Sequence, residues 1–181
     1  LLFAKPIRLD LRTCHIPELA QTTCQHLVQA GQCHSQRLQV QVEDGVQPVS
    51  ADPYAVEQVL RNLLENAIAV SGEEQAIVVA IAPAWQGDRP AVRIEIRDAG
   101  PGIAPEYRER VFEPFFSTRS RGTGLGLPIA RRLAEAHGGR LELVANGQGT
   151  TAVFLLPEVP SNEPWEDPEN QPDHRRMLRS E

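Results

Sequence analysis

Ala91-Val92-Arg93-Ile94-Glu95-Ile96-Arg97-Asp98-Ala99-Gly100-Pro101-Gly102 reads as a strand that runs into a glycine-hinged turn. Val92, Ile94 and Ile96 alternate with Arg93, Glu95 and Arg97, the period of a strand with one buried face. Asp98 keeps the parity of the apolar residues. A carboxylate is therefore aimed inward at a strand end, where it needs a donor. The amino group of a flat base such as adenine would serve. Gly100 and Gly102 let the backbone turn sharply and approach such a base closely. Taken alone, the stretch is also an ordinary Asp-x-Gly turn.

Working outward, residues 77–81 form an apolar strand. The polar loop 82–90 joins it to 91–98 as a hairpin. Further upstream, Asp52 is a helix N-cap with Pro53 at the first helical position. Val56, Val59, Leu60, Leu63, Leu64 and Ala67 then follow at helical spacing. Leu38, Val40 and Val42 alternate with Gln39 and Gln41, predicting a half-buried strand. Pro17 opens a helix to Ala30, closed by Gly31. A short strand is expected around residues 7–11, and residues 1–5 read as a helix end stopped by Pro6. Downstream, a helix over 125–137 ends at Gly138-Gly139. Strands over 140–145 and 150–156 are joined across Asn146-Gly147. Hairpins mixed with helices, rather than strict strand–helix alternation, predict an α+β fold. The expected architecture is a two-layer sandwich, a mixed and mostly antiparallel sheet packed on helices.

The chain has 181 residues, of which 41% are hydrophobic and only 5% aromatic, so its core is aliphatic. Net charge is -6, but the stretch from Pro157 onward holds seven acids and three bases, leaving about -2 elsewhere. No basic footprint for nucleic acid exists. Cys14, Cys24 and Cys33 form no C-x-x-C pair, which speaks against a zinc site or a disulfide framework. No apolar run is long enough to cross a membrane, so no membrane contact is expected and the location read is cytoplasmic. Three segments result: 1–5, a helix remnant; 6–157, the folded domain; 158–181, an acidic, proline-rich tail expected to lack order.

Other motifs carry chemistry. Asn62 and Asn66, four apart, share a helical face at the edge of the apolar stripe. An amide oxygen there is a neutral, hard ligand suited to Mg²⁺ arriving with phosphates; the plain alternative is two solvated surface amides. Gly122-Thr123-Gly124-Leu125-Gly126-Leu127 opens into a helix, exposing backbone N–H groups to phosphate oxygens. It lacks the G-K-[ST] of a P-loop and the preceding strand of a Rossmann turn. Arg119 and Arg121 stand just upstream. Phe112, Phe115 and Phe116 either anchor a segment to the core or form a partner patch.

The order of these motifs is more specific than any of them. Asn62/Asn66, Asp98-x-Gly100-x-Gly102, Phe112 to Phe116, and Gly122-x-Gly124-x-Gly126 follow the order of the N, G1, F and G2 boxes. Over about residues 1–157 the sequence resembles the catalytic ATP-binding domain of two-component sensor histidine kinases, in a superfamily with DNA gyrase, Hsp90 and MutL. The resemblance implies ATP and Mg²⁺ as cofactors and an ATP lid over about 103–121. It implies Asp98 on the adenine amino group, Asn66 on Mg²⁺ and Asn62 beside the phosphates. It further implies the backbone of Thr123, Gly124, Leu125, Gly126 and Leu127 on the phosphates, and Thr150 supporting the adenine pocket. It implies two partners: a helical dimerisation domain carrying the acceptor histidine, whose end residues 1–5 resemble, and a response regulator downstream.

Two departures from the pattern matter. Many members carry Lys and Tyr where this chain has Ala69 and Val70, which shifts phosphate charge compensation onto Arg119 and Arg121. None of the five histidines (His15, His26, His34, His137, His174) precedes Asp or Glu, as the acceptor box requires. The expected activity is therefore the catalytic half of a histidine kinase. A gyrase- or Hsp90-type ATPase needs a Glu at position 62 to activate water, and Asn cannot take that proton. An anti-sigma-factor serine kinase and a non-catalytic nucleotide-sensing module share the fold and are the alternatives.

Overall fold

The longest helix begins where a side chain can satisfy its orphan N–H groups. Asp52 Oδ1 accepts from Tyr54 N at 3.0 Å and Ala55 N at 3.2 Å. From that cap α2 (Pro53–Val70) runs 18 residues and buries Val56, Val59, Leu60, Leu63, Leu64 and Ala67. Its partners are α1 (Ile16–Gln29), which buries Ile16, Ala20, Cys24 and Leu27, and α3 (Gly126–Ala136), which buries Ala130 and Ala134. The computed structural model describes residues 7–119, 122–145 and 148–158. The helix remnant over 1–5, the Asn146-Gly147 connection and nearly all of the tail read from the sequence lie outside the described residues.

The helices cover one face of a five-stranded sheet. Its strands are β2 (Leu38–Val42), β4 (Ile77–Gln86), β5 (Arg89–Arg97), β6 (Arg140–Ala145) and β7 (Thr150–Pro157), in the order β2-β4-β5-β7-β6. Only β2 and β4 are parallel; the other pairs are antiparallel. Ile81, Ile94 and Phe154 stand opposite one another across three strands, and all three are fully buried against the helices. The α+β sandwich expected from the hairpin pattern is the observed fold.

Two local readings are corrected. No strand forms over 7–11. Pairing begins instead at β1 (Arg12–Cys14), whose partner is β3 (Val49–Ala51), a three-residue strand too short to show a period. Asp10 N donates to Asp52 Oδ2 at 3.0 Å, so the backbone before β1 is tied to the α2 cap rather than to a ladder. The polar loop read over 82–90 is almost entirely strand, with a turn only at Gly87-Asp88, where Gly87 has φ +61°. Pro83 does not break β4. Ile81 O accepts from Glu43 N, so Ile81 and Pro83 both turn their backbone polar groups to the β2 side. Since β2 ends opposite Ile81, no ladder bond needs an N–H at Pro83.

One buried histidine ties the two ends of the helical layer together. His137, only 1% exposed, follows α3, and its Nδ1–H donates to Leu133 O at 2.7 Å. That leaves Nε2 as an acceptor for Asp52 N at 3.1 Å. Burial pushes the His137 pKa below its ordinary value of 6.5, against smaller opposing effects of Leu133 O and Asp52. The unfolded chain therefore binds this proton at higher pH than the folded one. Stability from the neutral ring is complete above the ordinary histidine range and falls as pH drops below it. Urea midpoints should decline between about pH 7 and about pH 5 by more in the wild type than in His137→Gln. Equal declines would show that protonation of His137 does not weaken the link.

Candidate functional site

Asp98 extends β5 on its buried side, as its parity predicts. Its backbone still pairs with β7, Asp98 N donating to Thr150 O at 2.9 Å. Its Oδ1 accepts from two backbone groups, Gly100 N at 2.8 Å and Thr150 N at 3.1 Å. The carboxylate is thus fixed by the turn it starts, and Oδ2 remains for another donor. Gly100 is required by close approach. A Cβ there would stand 2.8 Å from Val70 Cγ2 and 3.0 Å from Val70 O. Gly102 has φ +77°, a left-handed conformation that favours glycine.

Asn62 and Asn66 face this turn from α2. Asn62 is 8% exposed, and its Oδ1 accepts from Gln58 Nε2 at 3.1 Å, while its Nδ2 is buried without an acceptor. An orphaned amide N–H beside a cavity is costly unless something there accepts from it. A Cβ on Gly126 would lie 3.8 Å from Asn62 Oδ1 and from Asn66 Nδ2, so the first residue of α3 faces both amides. No side chain caps that helix end, and its first-turn N–H groups keep their donor capacity. Asp98, Asn62, Asn66 and Gly126 line one cavity of about 620 Å³, together with Gly102, Arg119, Gly122, Thr123, Gly124, Leu125, Leu127 and Thr150, whereas Gly100 stands in the turn behind it and does not line it. Its apolar wall includes Val70, Ile96, Ile103 and Ala152. Arg121 lies outside the described residues. Ala69 is exposed and does not line the cavity, whereas Val70 does.

The segment between the two glycine motifs crosses the cavity mouth through two short turns, Pro105–Tyr107 and Arg110–Phe112. The three phenylalanines divide their work. Phe112 packs against the core beneath the Arg131 guanidinium, 4.8 Å from its ring centroid. Phe116 contacts Tyr107, with ring centroids 5.5 Å apart, under Arg110 at 4.3 Å. Phe115 is 75% exposed and holds φ +68°, while its N–H donates to Gly124 O at 2.9 Å. Gly124, itself at φ +66°, leaves no room for a side chain, because a Cβ would meet Phe115 C at 2.4 Å. The residues missed in the sequence, Ile103 and Ala152 among them, are apolar and carry no chemical signal of their own.

The chain matches the family described as histidine kinase-, DNA gyrase B-, and HSP90-like ATPase over residues 51–160. It belongs to that family. Within it, the chain is a histidine kinase catalytic domain, as its relatives and structural neighbours show. Sensor histidine kinase ZraS of Escherichia coli O157:H7 is 34% identical over 165 residues, 91% of this chain and 35% of that protein. Sporulation kinase E of Bacillus subtilis is 30% identical over 158 residues, 87% of this chain and 21% of that protein. The chain thus spans about a third or less of these relatives. The solved catalytic domain of histidine kinase ThkA superposes with a TM-score of 0.71 at 28% identity, covering 83% of this chain and 97% of ThkA's. Full-length ShkA in complex with AMPPNP superposes with a TM-score of 0.69 at 29% identity, covering 86% of this chain and 32% of that one. ATP binding is what this family membership implies for the kinase domain. None of its helices is long and apolar enough to cross a membrane, among the described residues.

Proposed function

We propose that this domain transfers the γ-phosphoryl group of Mg-ATP to a histidine on a separate helical dimerisation domain, for relay to a response regulator. The observation that carries the reading is the convergence of Asp98, the Asn62/Asn66 face and the uncapped start of α3 on one cavity. Asp98 Oδ2 accepts from the adenine amino group, and Thr150 N–H holds the carboxylate in place through Oδ1. The backbone N–H groups of Thr123, Gly124, Leu125, Gly126 and Leu127 meet the phosphates at the helix start. The buried Asn62 N–H group without an acceptor suits a phosphate oxygen, and Asn66 supplies an amide oxygen for Mg²⁺. A bound Mg²⁺ would neutralise charge on the phosphate oxygens. Arg119, exposed at the rim, adds a positive charge, and Arg121 is assigned the same role from the sequence.

Asn62 favours phosphotransfer over hydrolysis. An amide cannot act as a general base toward water, so the γ-phosphoryl group is left for an imidazole. Catalysis then rests on positioning and electrostatics. Incubation with labelled ATP and a separately produced dimerisation domain tests this. Acid-labile, base-stable label on the partner alone is the expected result, in weak yield, because the tether that raises effective concentration is missing. Acid-stable label on a partner serine would move the assignment to the serine kinases, and rapid phosphate release by the chain alone would move it to the hydrolytic ATPases.

A further inference from the structure

A second cavity, of about 910 Å³, opens between the C-terminal ends of α1 and α2, and the site described above does not use it. Val28, Gly31 and Gln32 from the end of α1 and Ile68 and Ser71 from the end of α2 line it. Cys33, His34, Ser35, Arg37 and Glu73 complete its wall. Arg37, which ends a short turn before β2, is 8% exposed. Its Nε donates to Gln75 O at 3.1 Å, and its Nη2 is buried with no acceptor. Ser71 Oγ is likewise buried without a partner. No carboxylate lies within ion-pair distance of Arg37 among the described residues, and Glu73, the only acid on the wall, is exposed.

A guanidinium carries five N–H donors, and one carbonyl engages one of them. Leaving a buried charge without a counter-charge costs far more than a surface pair is worth. The C-terminal ends of α1 and α2 carry partial negative charge and offset some of this. That compensation is smaller than the deficit, and it supplies no acceptor for Nη2.

We infer that this cavity is a binding site for a phosphate-class oxyanion, with Arg37 as its cationic anchor and Ser71 as a neutral donor. A tetrahedral group presents acceptors in several directions, and Arg37, Ser71, His34 and Ser35 all stand on the cavity wall as donors for it. A planar carboxylate would engage the guanidinium and leave the rest unmatched. Val28 and Ile68 add an apolar wall, which suits the organic part of a phosphate monoester. Two helix C-termini and Glu73 oppose an anion, so binding is expected to be weak.

The amide spectrum of the isotope-labelled chain, titrated with inorganic phosphate at constant ionic strength in chloride, tests the site. Saturable shifts are expected for the amides of Ser71, Gly72, Gln75 and Arg37. In Arg37→Gln these shifts should vanish, and in Ser71→Ala the dissociation constant should rise severalfold. A parallel titration with phenyl phosphate separates the two sources of the group. Tighter binding than phosphate identifies a monoester, and equal binding identifies the free ion. Shifts confined to Thr123, Gly124, Leu125 and Gly126, or shifts around Arg37 that persist in Arg37→Gln, would overturn the inference. If Arg37→Gln does not fold, Ser71→Ala decides, and an unchanged constant there overturns it as well. Because the readout is local to Arg37 and Ser71, its outcome is independent of whether the cavity beside Asp98 binds nucleotide.

Discussion

Asp98→Asn is expected to weaken binding of a non-hydrolysable ATP analogue by about 10- to 150-fold, with the fold retained. The geometry explains why so small a change is so damaging. Oδ1 of Asp98 already accepts from Gly100 N and Thr150 N. In the variant those two donors hold the amide oxygen at the same place, which forces the NH₂ group into the position of Oδ2. A donor then faces the donor of the adenine amino group. The lost interaction is a hydrogen bond to a charged group, worth about 1.5–3 kcal/mol, which converts to the stated factor. Because the oxygen that organises the turn survives, thermal unfolding should shift by only a few degrees. Titration calorimetry checks the affinity, and an unchanged dissociation constant would remove Asp98 from the site.

The main elements were legible because each carried a redundant signal. For α2, an aspartate cap, a proline in the first turn and six stripe residues all pointed to one helix. For β5, alternation and the parity of Asp98 place the carboxylate on the buried face of the sheet, where the cavity lies. The misplaced pieces lacked such redundancy. β1 and β3 are three residues each, too short for a period, and exist because they pair with each other across the chain. Residues 82–86 and 89–90 looked like loop because Pro83, Pro90 and Gly87 are breakers in isolation. They are tolerated because the proline positions need no ladder donor, a property of the neighbouring strands and not of the prolines. The cavity's chemistry was visible in Asn62, Asn66, Asp98 and the glycines, whereas its apolar wall was not. Ile96 and Ala152 are read from sequence as ordinary strand residues, and only the tertiary fold turns them toward the cavity. The division among the three phenylalanines was also unreadable, since the partial burial of Phe112 and the exposure of Phe115 depend on how the segment before Gly122 lies against α3.

Gly149→Ala, just before β7, should be among the most destabilising single substitutions at the strand ends of the sheet. Gly149 has φ +90°, outside the range an alanine adopts without strain, and a Cβ there would lie 2.0 Å from Asp98 O. The first effect costs about 1–3 kcal/mol. The second cannot be relieved by rotating a side chain, because the obstructing atom is backbone carbonyl. The β5–β7 pairing must move apart where Asp98 N meets Thr150 O and Thr150 N meets Asp98 Oδ1. A total of at least about 3 kcal/mol follows, which for a domain of this size lowers the melting temperature by roughly 10 °C. Nucleotide binding should fall as well, since the displaced strand end carries the carboxylate. Gly87→Ala separates the two causes. Gly87 also has positive φ, at +61°, but a Cβ there meets nothing within 4 Å. It should therefore show the conformational cost alone and leave nucleotide affinity untouched. Scanning calorimetry of both variants, with a binding titration on each, checks the assignment. Equal losses of stability would mean that the contact with Asp98 O relaxes freely and that Gly149 is needed for its backbone angle only.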